Sequence, residues 1–298
     1  MKHYPCYLCG ADDPIEIDRQ KWPDTYLSLL DGALNDEPRR LVVCNACGFV
    51  QRDPKLTPEE IDVLYQRFRD HGLASETPDQ YFDRITSLPP GKSENHDKLE
   101  WLAPRVEHHF GPKGPASALD IGCGGGVFFH TFANRFPRCR MVGVEPTPAF
   151  ADLARRRLGI TVVEALYGEG LVEERFDAVF AIQVLEHVFD PAAFLASVRR
   201  NLNQGGLAYI EVPDVQDLGY LPPDHDRFMS QHLHVFSRAS LTEVCRRAGL
   251  KVVDLDAMRT LRDKHNLLAL ATPDVAAESP WREPAEQILA LRRRLPAG

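Results

Sequence analysis

The sequence contains no apolar run near the ~18 residues of a membrane-spanning helix, and its opening MKHYPCYLCG lacks the apolar segment of a secretory leader. Both absences predict a cytoplasmic protein without a membrane partner. A basic excess is missing too: 35 Lys and Arg stand against 43 Asp and Glu, for a formal net charge of −8. Polyanion binders concentrate cations to neutralise phosphates, so no nucleic acid is expected as a partner and a small molecule is. No internal repeat or low-complexity tract interrupts the chain. With 44% hydrophobic and 26% charged residues, the composition is that of a globular fold rather than a disordered one. Composition leaves the oligomeric state open.

Cysteine is scarce outside two matched pairs. Cys6-x-x-Cys9-Gly10 and Cys44-x-x-Cys47-Gly48 account for four of the seven, with Cys123, Cys139 and Cys245 scattered. Two thiolates two residues apart grip one metal ion from a tight turn, and the following glycine lets the backbone curl around the sulfurs. Two such knuckles predict a closed tetrahedral Zn²⁺ site of structural role. Disulfides are the competing use, and a cytosolic chain disfavours them. Residues 1–50 hold five Lys and Arg against eight Asp and Glu, so this module is expected to pack on its neighbour or cover a substrate rather than to contact phosphates.

Beyond it, LTPEEIDVLYQRF predicts a helix from Pro58, with Thr57 and Glu60 as a capping box. A further helix is expected over 94–109, between Pro89-Pro90-Gly91 and the Gly111–Pro115 cluster. From residue 116 the pattern changes: ASALDIG, RMVGVE, ITVV, FDAVFAI and LAYIEV read as strands, with PAFADLARRRLG and PAAFLASVRRNL helical between them. Such alternation implies an α/β fold of parallel strands with crossover helices, and ligands bind at the carboxyl ends of those strands. KVVDLDAM and NLLALAT supply the last two strands, and Ser240 with Glu243 reads as a capping box for the helix before them. Four parts follow: a zinc-binding module (1–55), a helical connector and possible lid (56–115), the α/β core (116–272) and a tail (273–298) whose EPAEQILALRRRL segment is helical without an assigned function.

The first strand ends in Asp120-Ile121-Gly122-Cys123-Gly124-Gly125-Gly126. Its glycines let a ligand approach the backbone, and the turn feeds a helix N-terminus. A dinucleotide turn wants Gly-x-Gly-x-x-Gly, but Val127 stands at the last position. The loop resembles instead the first motif of class I S-adenosylmethionine (SAM) dependent methyltransferases, an acidic residue followed by Gly-x-Gly-x-Gly. Val142-Gly143-Val144-Glu145, the segment Phe176–Val188 and Asn203-Gln204-Gly205-Gly206-Leu207 resemble three later motifs of that family in order. The resemblance covers about residues 116–272 and implies a Rossmann-like seven-stranded core with SAM as cofactor. It assigns Asp120, Gly122, Gly124 and Gly126 to the methionine end of SAM and Glu145 to the ribose hydroxyls. Gln183 would face the sulfonium, and Glu164, Ala165 and Leu166 would border adenine.

QHLHVFS, residues 231–237, places His232 and His234 on one face if it is a strand. Together with the cysteine knuckles, Leu185-Glu186-His187 and the Ala248-Gly249-Leu250 helix end, it resembles the zinc-containing deoxysugar C-methyltransferases and their small-molecule-methylating relatives. In them an acidic-His pair at this stretch, helped by the histidine after strand four, is linked to deprotonation of the substrate. Those positions are His232 and His187, and Gln231 stands where the family has Glu. That amide orients but carries no charge, so His232 is expected to be a weaker base. His234 is open between a structural role and the acceptor wall. The chain also stops where those enzymes continue into a further domain, which makes a nucleotide-linked sugar a less expected substrate.

The loop from Pro213 to Ser230 supplies Tyr220, His225 and Asp226 as candidate substrate contacts, and Tyr65, Tyr81 and Phe82 are candidates to close over the site. The resulting expectation is methyl transfer to a hydroxyl or activated carbon of a sugar or specialised metabolite. An RNA base methyltransferase and a non-catalytic SAM-fold scaffold are the alternatives.

Overall fold

The computed structural model describes residues 1–20, 24, 26–30, 39–67, 76–274 and 281–294. The N-terminal strands β1 (Pro14–Gln20), β2 (Arg39–Cys44) and β3 (Val50–Asp53) pair antiparallel. Gly10 and Gly48, each following a cysteine pair, sit at φ +73° and +78°, the left-handed backbone that a thiolate knuckle requires. Helix α1 (Pro58–Arg67) starts with reciprocal Thr57 and Glu60 hydrogen bonds, as its capping box predicts. Between it and α3 (Glu94–Phe110) lies α2 (Pro78–Thr86), which the sequence reading missed although Thr77 and Gln80 cap it. Its single buried residue, Phe82, leaves too little apolar periodicity to detect.

The core then alternates strand and helix: β4 (Ser117–Ile121), α4 (Val127–Arg135), β5 (Arg140–Val144), α5 (Pro148–Leu158), β6 (Thr161–Val163), β7 (Phe176–Ile182), α6 (Pro191–Arg200) and β8 (Leu202–Pro213). After β9 (His234–Val235) come α7 (Arg238–Arg247), β10 (Lys251–Arg259) and β11 (His265–Thr272). The seven-stranded sheet runs β10-β11-β8-β7-β4-β5-β6, parallel except for β11, which is antiparallel to both neighbours. Chain order reverses at β4, whose two neighbours are β5 and β7, and a cleft opens there at the strand carboxyl ends. Phe128, Phe129 and Phe132 seat α4 against Phe180 of β7, with Phe136 packed on Phe132.

Two features depart from expectation. QHLHVFS is not a continuous strand. His232 N donates to Met229 O and Leu233 N to Glu186 O, so the chain turns before β9 begins at His234. The residues that follow add to the N-terminal sheet: Val235 faces Val50 and His234 faces Gln51, giving the order β1-β2-β3-β9. Helix α7 starts three residues earlier than predicted. Its capping box is Ser237 with Ser240, because Glu243 is engaged by Arg246 and Arg247.

The C-terminal helix α8 (Ala285–Arg292) packs with its Ala285, Ile288 and Leu291 against Leu41, Val43, Val50 and Leu218. Glu283 N donates to Cys47 O, and a Cβ on Gly48 would collide with the Glu283 carbonyl. Among the described residues, no helix is long and apolar enough to cross a membrane.

Candidate active site

The cleft at β4 holds a cavity of about 270 Å³ lined by Gly122, Glu145, Ala165, Leu166, Gln183 and His187, among others. Its floor is the turn after β4. Gly122 has φ +71°, and a Cβ there would stand 2.8 Å from the Val184 side chain, so another residue would be strained and would displace Val184 just after β7. Gly124 N donates to Glu145 Oε2 at 2.9 Å, and Thr147 N donates to Oε1 at 2.9 Å. Two backbone amides thereby fix the carboxylate at the cavity wall, and each oxygen keeps acceptor capacity for a ligand hydroxyl.

Not every glycine of the loop meets the cavity. Gly126 caps α4 with φ +80°, and a Cβ on it would strike Leu158 of α5, so its smallness serves helix packing. Asp120 is buried below the floor, where burial and then the Glu145 charge raise its carboxyl well above the usual range. Gln183 lines the cavity with φ +54°, a conformation rare outside glycine. Its side chain turns away, with Nε2 3.4 Å from Glu211 and Oε1 receiving Arg227 at 3.4 Å.

That amide belongs to a buried polar network that sequence reasoning missed. Lys98 Nζ lies 3.0 Å from Glu211 Oε1, Tyr209 Oη donates to Oε2 at 2.8 Å, and Asn266 Nδ2 donates to Oε1 at 2.7 Å. One signal was available: a charge, Glu211, inside the apolar run LAYIEV.

His187 lines the cavity, and the other predicted histidine, His232, packs against it from behind without itself lining the cavity. The His187 and His232 rings meet edge to face at 4.6 Å, and Tyr65 of α1 lies edge-on to His187 at 5.5 Å. His187 Nδ1 lies 2.9 Å from Gln231 O and His232 Nδ1 lies 2.8 Å from Arg227 O. A carbonyl oxygen only accepts, so each ring holds a proton on Nδ1 and presents Nε2 as its basic nitrogen. Burial, followed by the neighbouring His187, pushes His232 well below the ordinary histidine range. Glu186 is fully buried and its carboxyl rises to about 8 through desolvation.

Gln231 reaches these rings through its backbone, not its side chain. Its Nε2 donates to Asp226 O at 3.0 Å, while its own carbonyl receives His187.

The remaining predicted contacts lie elsewhere. His234 is buried between Tyr7, Phe49 and Phe236, because β9 turns it into the seam with the N-terminal sheet. Tyr81 packs on Phe150, and the half-exposed Tyr220 stacks on His265 at 4.5 Å. His225 Nδ1 sits 2.7 Å from Asp226 Oδ1, and Lys264 pairs with the same carboxylate. None of the four is among the cavity-lining residues. Pro58, Ile61, Asp62 and Tyr65 of the α1 segment do line it.

Cys6, Cys9, Cys44 and Cys47 converge, with all four Sγ atoms within 4.8 Å of one another. The Cys6–Cys47 and Cys9–Cys44 pairs are 3.6 and 3.5 Å apart, and none is in a disulfide. Zn–S bonds of about 2.3 Å in a tetrahedron separate sulfurs by about 3.8 Å, so the cluster fits such an ion.

A methyltransferase-domain family model matches residues 65–255, more than half of the chain. The chain belongs to the methyltransferase domain family. Among curated proteins it is similar to an uncharacterized 37.1 kDa transposon protein of Streptomyces fradiae, 30% identical over 62% of this chain and 55% of that one. It is also similar to a ubiquinone biosynthesis O-methyltransferase of Azorhizobium caulinodans, 31% identical over 44% of this chain and 56% of that enzyme. The chain thus spans just over half the length of these curated relatives. Among solved structures, 1,6-didemethyltoxoflavin-N1-methyltransferase of Burkholderia thailandensis, determined with S-adenosylhomocysteine bound, aligns with a TM-score of 0.52. At 21% identity over 75% of this chain and 93% of that one, the likeness carries the fold alone, a Rossmann-like core with a seven-stranded sheet.

Proposed function

We propose that the protein transfers a methyl group from SAM to a small-molecule acceptor, a hydroxyl or activated carbon. The observation that carries this reading is the Glu145 carboxylate, fixed at the cavity wall by Gly124 and Thr147. Carboxylate oxygens are pure acceptors, suited to a pair of ribose hydroxyls. Gly122 leaves backbone room for the methionine end, with Asp120 beneath it, and Ala165 and Leu166 form the wall for adenine. Bound SAM supplies a methyl group already activated on a sulfonium, so the chain's residues have to orient the acceptor, exclude water and manage one proton.

His187 and His232 suit the proton task, since each keeps Nε2 as its basic nitrogen, His187 lines the cavity and His232 is in ring contact with it. The depression of His232 keeps its ring neutral and able to receive a proton at physiological pH. Gln231 acts in this reading as a positioning residue through its carbonyl. The names of the relatives, which include a ubiquinone-pathway O-methyltransferase and a toxoflavin-precursor N-methyltransferase, are consistent with a small acceptor.

The four cysteines would hold a structural Zn²⁺, whose consequence is to anchor β3 and, through it, the strand that follows His232. On this reading the described parts of 1–55 support the acceptor wall, Pro58, Ile61, Asp62 and Tyr65 of the 56–115 connector border the cavity, 116–272 form the catalytic core, and the described part of 273–298 braces the zinc module. Incubation with radiolabelled SAM and a panel of phenolic, sugar and N-heterocyclic acceptors tests the proposal. Label is expected on a small molecule; transfer only to RNA would overturn that acceptor class.

A further inference from the structure

Beside the cavity, three lone-pair donors converge. Glu186 is 0% exposed, and no side chain of a described residue donates a hydrogen bond to either carboxylate oxygen. Burying a carboxylate without donors is costly. His187 Nε2 stands 3.7 Å from Oε1, beyond hydrogen-bond reach. Because His187 and His232 keep their protons on Nδ1 against backbone carbonyls, their Nε2 atoms are lone-pair donors when neutral. One ligand-type atom from each of Glu186, His187 and His232, a ring nitrogen in the case of the histidines, lies within 4.8 Å of the other two.

We propose that Glu186, His187 and His232 bind one divalent cation, separate from the four-cysteine cluster. A divalent cation among them would supply the positive partner that a buried carboxylate otherwise lacks. Two imidazoles and one carboxylate suit a first-row ion such as Mn²⁺, Fe²⁺, Co²⁺ or Zn²⁺. The two Nδ1 bonds to carbonyls are the outer contacts that orient metal-ligating imidazoles. Three protein ligands leave coordination positions open, and His187 itself borders the cavity. An acceptor hydroxyl ligated there would become more acidic and lose its proton to solvent, so in the cation-bound protein the two histidines act as ligands rather than as the proton acceptors of the metal-free reading. That consequence rests on the methyl-transfer reading; the site does not.

The test uses the full chain with its thiolate-held zinc, freed of loosely held ions by a weak chelator and titrated with Mn²⁺ while free Mn²⁺ is followed by electron paramagnetic resonance. One Mn²⁺ per chain is expected. Glu186→Gln and His232→Ala should each weaken it by at least about tenfold, and Asp152→Asn, exposed on α5, should leave it unchanged. Titration of the same samples with S-adenosylhomocysteine identifies the variants that remain folded. Absence of stoichiometric Mn²⁺ in the wild type, or wild-type affinity in both variants, overturns the proposal. Mn²⁺ bound without S-adenosylhomocysteine would overturn the methyl-transfer reading and leave the cation site standing.

Discussion

The two ends of the cavity are built differently. The cofactor end comes from consecutive pieces of one sheet: the β4 turn, Glu145 after β5, and the segment after β6. The proposed acceptor end is lined by α1 and the turn that carries His187, behind which residues 226–235 pack through the His187–His232 and His187–Gln231 contacts, and the last of these are tied into a second sheet that begins at the cysteine cluster. The first end can therefore persist when the second fails, and perturbations of the N-terminal sheet should act on transfer rather than on cofactor affinity.

The largest effect is expected from removing zinc, or from Cys44→Ser. Structural zinc supplies about 10–16 kcal/mol of apparent binding free energy in small modules, and its loss should free β9 from β3. Transfer is expected to vanish while S-adenosylhomocysteine still binds calorimetrically. Parallel loss of both would mean that the two ends are one unit. Next comes His232→Ala, which should lower kcat by about 10²–10⁴-fold with unchanged S-adenosylhomocysteine affinity; wild-type turnover would remove His232 from the proton path.

Gln231→Glu separates charge from position. The side chain is 3% exposed and donates to Asp226 O, so a carboxylate there loses its acceptor and should cost about 1–3 kcal/mol in urea unfolding. It faces away from the imidazoles and should not raise the rate; an accelerated variant would show that the charge reaches His232. The smallest effect belongs to Tyr220→Ala. Its ring is 51% exposed, and stability should change by less than about 0.5 kcal/mol with KM unaltered. A raised KM would extend the acceptor wall into that loop.

The same contrast explains what was legible in the sequence. Asp120 to Gly126, Glu145 and the strand–helix alternation are local signals, in which a few adjacent residues satisfy one turn or one pleated strand. His187 and His232 were readable only through resemblance, because their meeting depends on a turn closed by Met229 and Glu186 carbonyls. Alternation misled at His234: the strand is two residues long, and its register is imposed by β3 rather than by its own pattern. The Lys98–Glu211 network joins a helix to a strand more than a hundred residues away, a pairing that no local period encodes.

The central claim is that Glu145 holds SAM in this cavity, and calorimetric titration of the wild type and Glu145→Ala with S-adenosylhomocysteine tests it most directly. Two hydrogen bonds to a charged acceptor, each worth about 1.5–3 kcal/mol, predict one site per chain in the wild type and at least tenfold weaker binding in the variant. No binding by the folded wild type, or equal affinity in the two proteins, would contradict it.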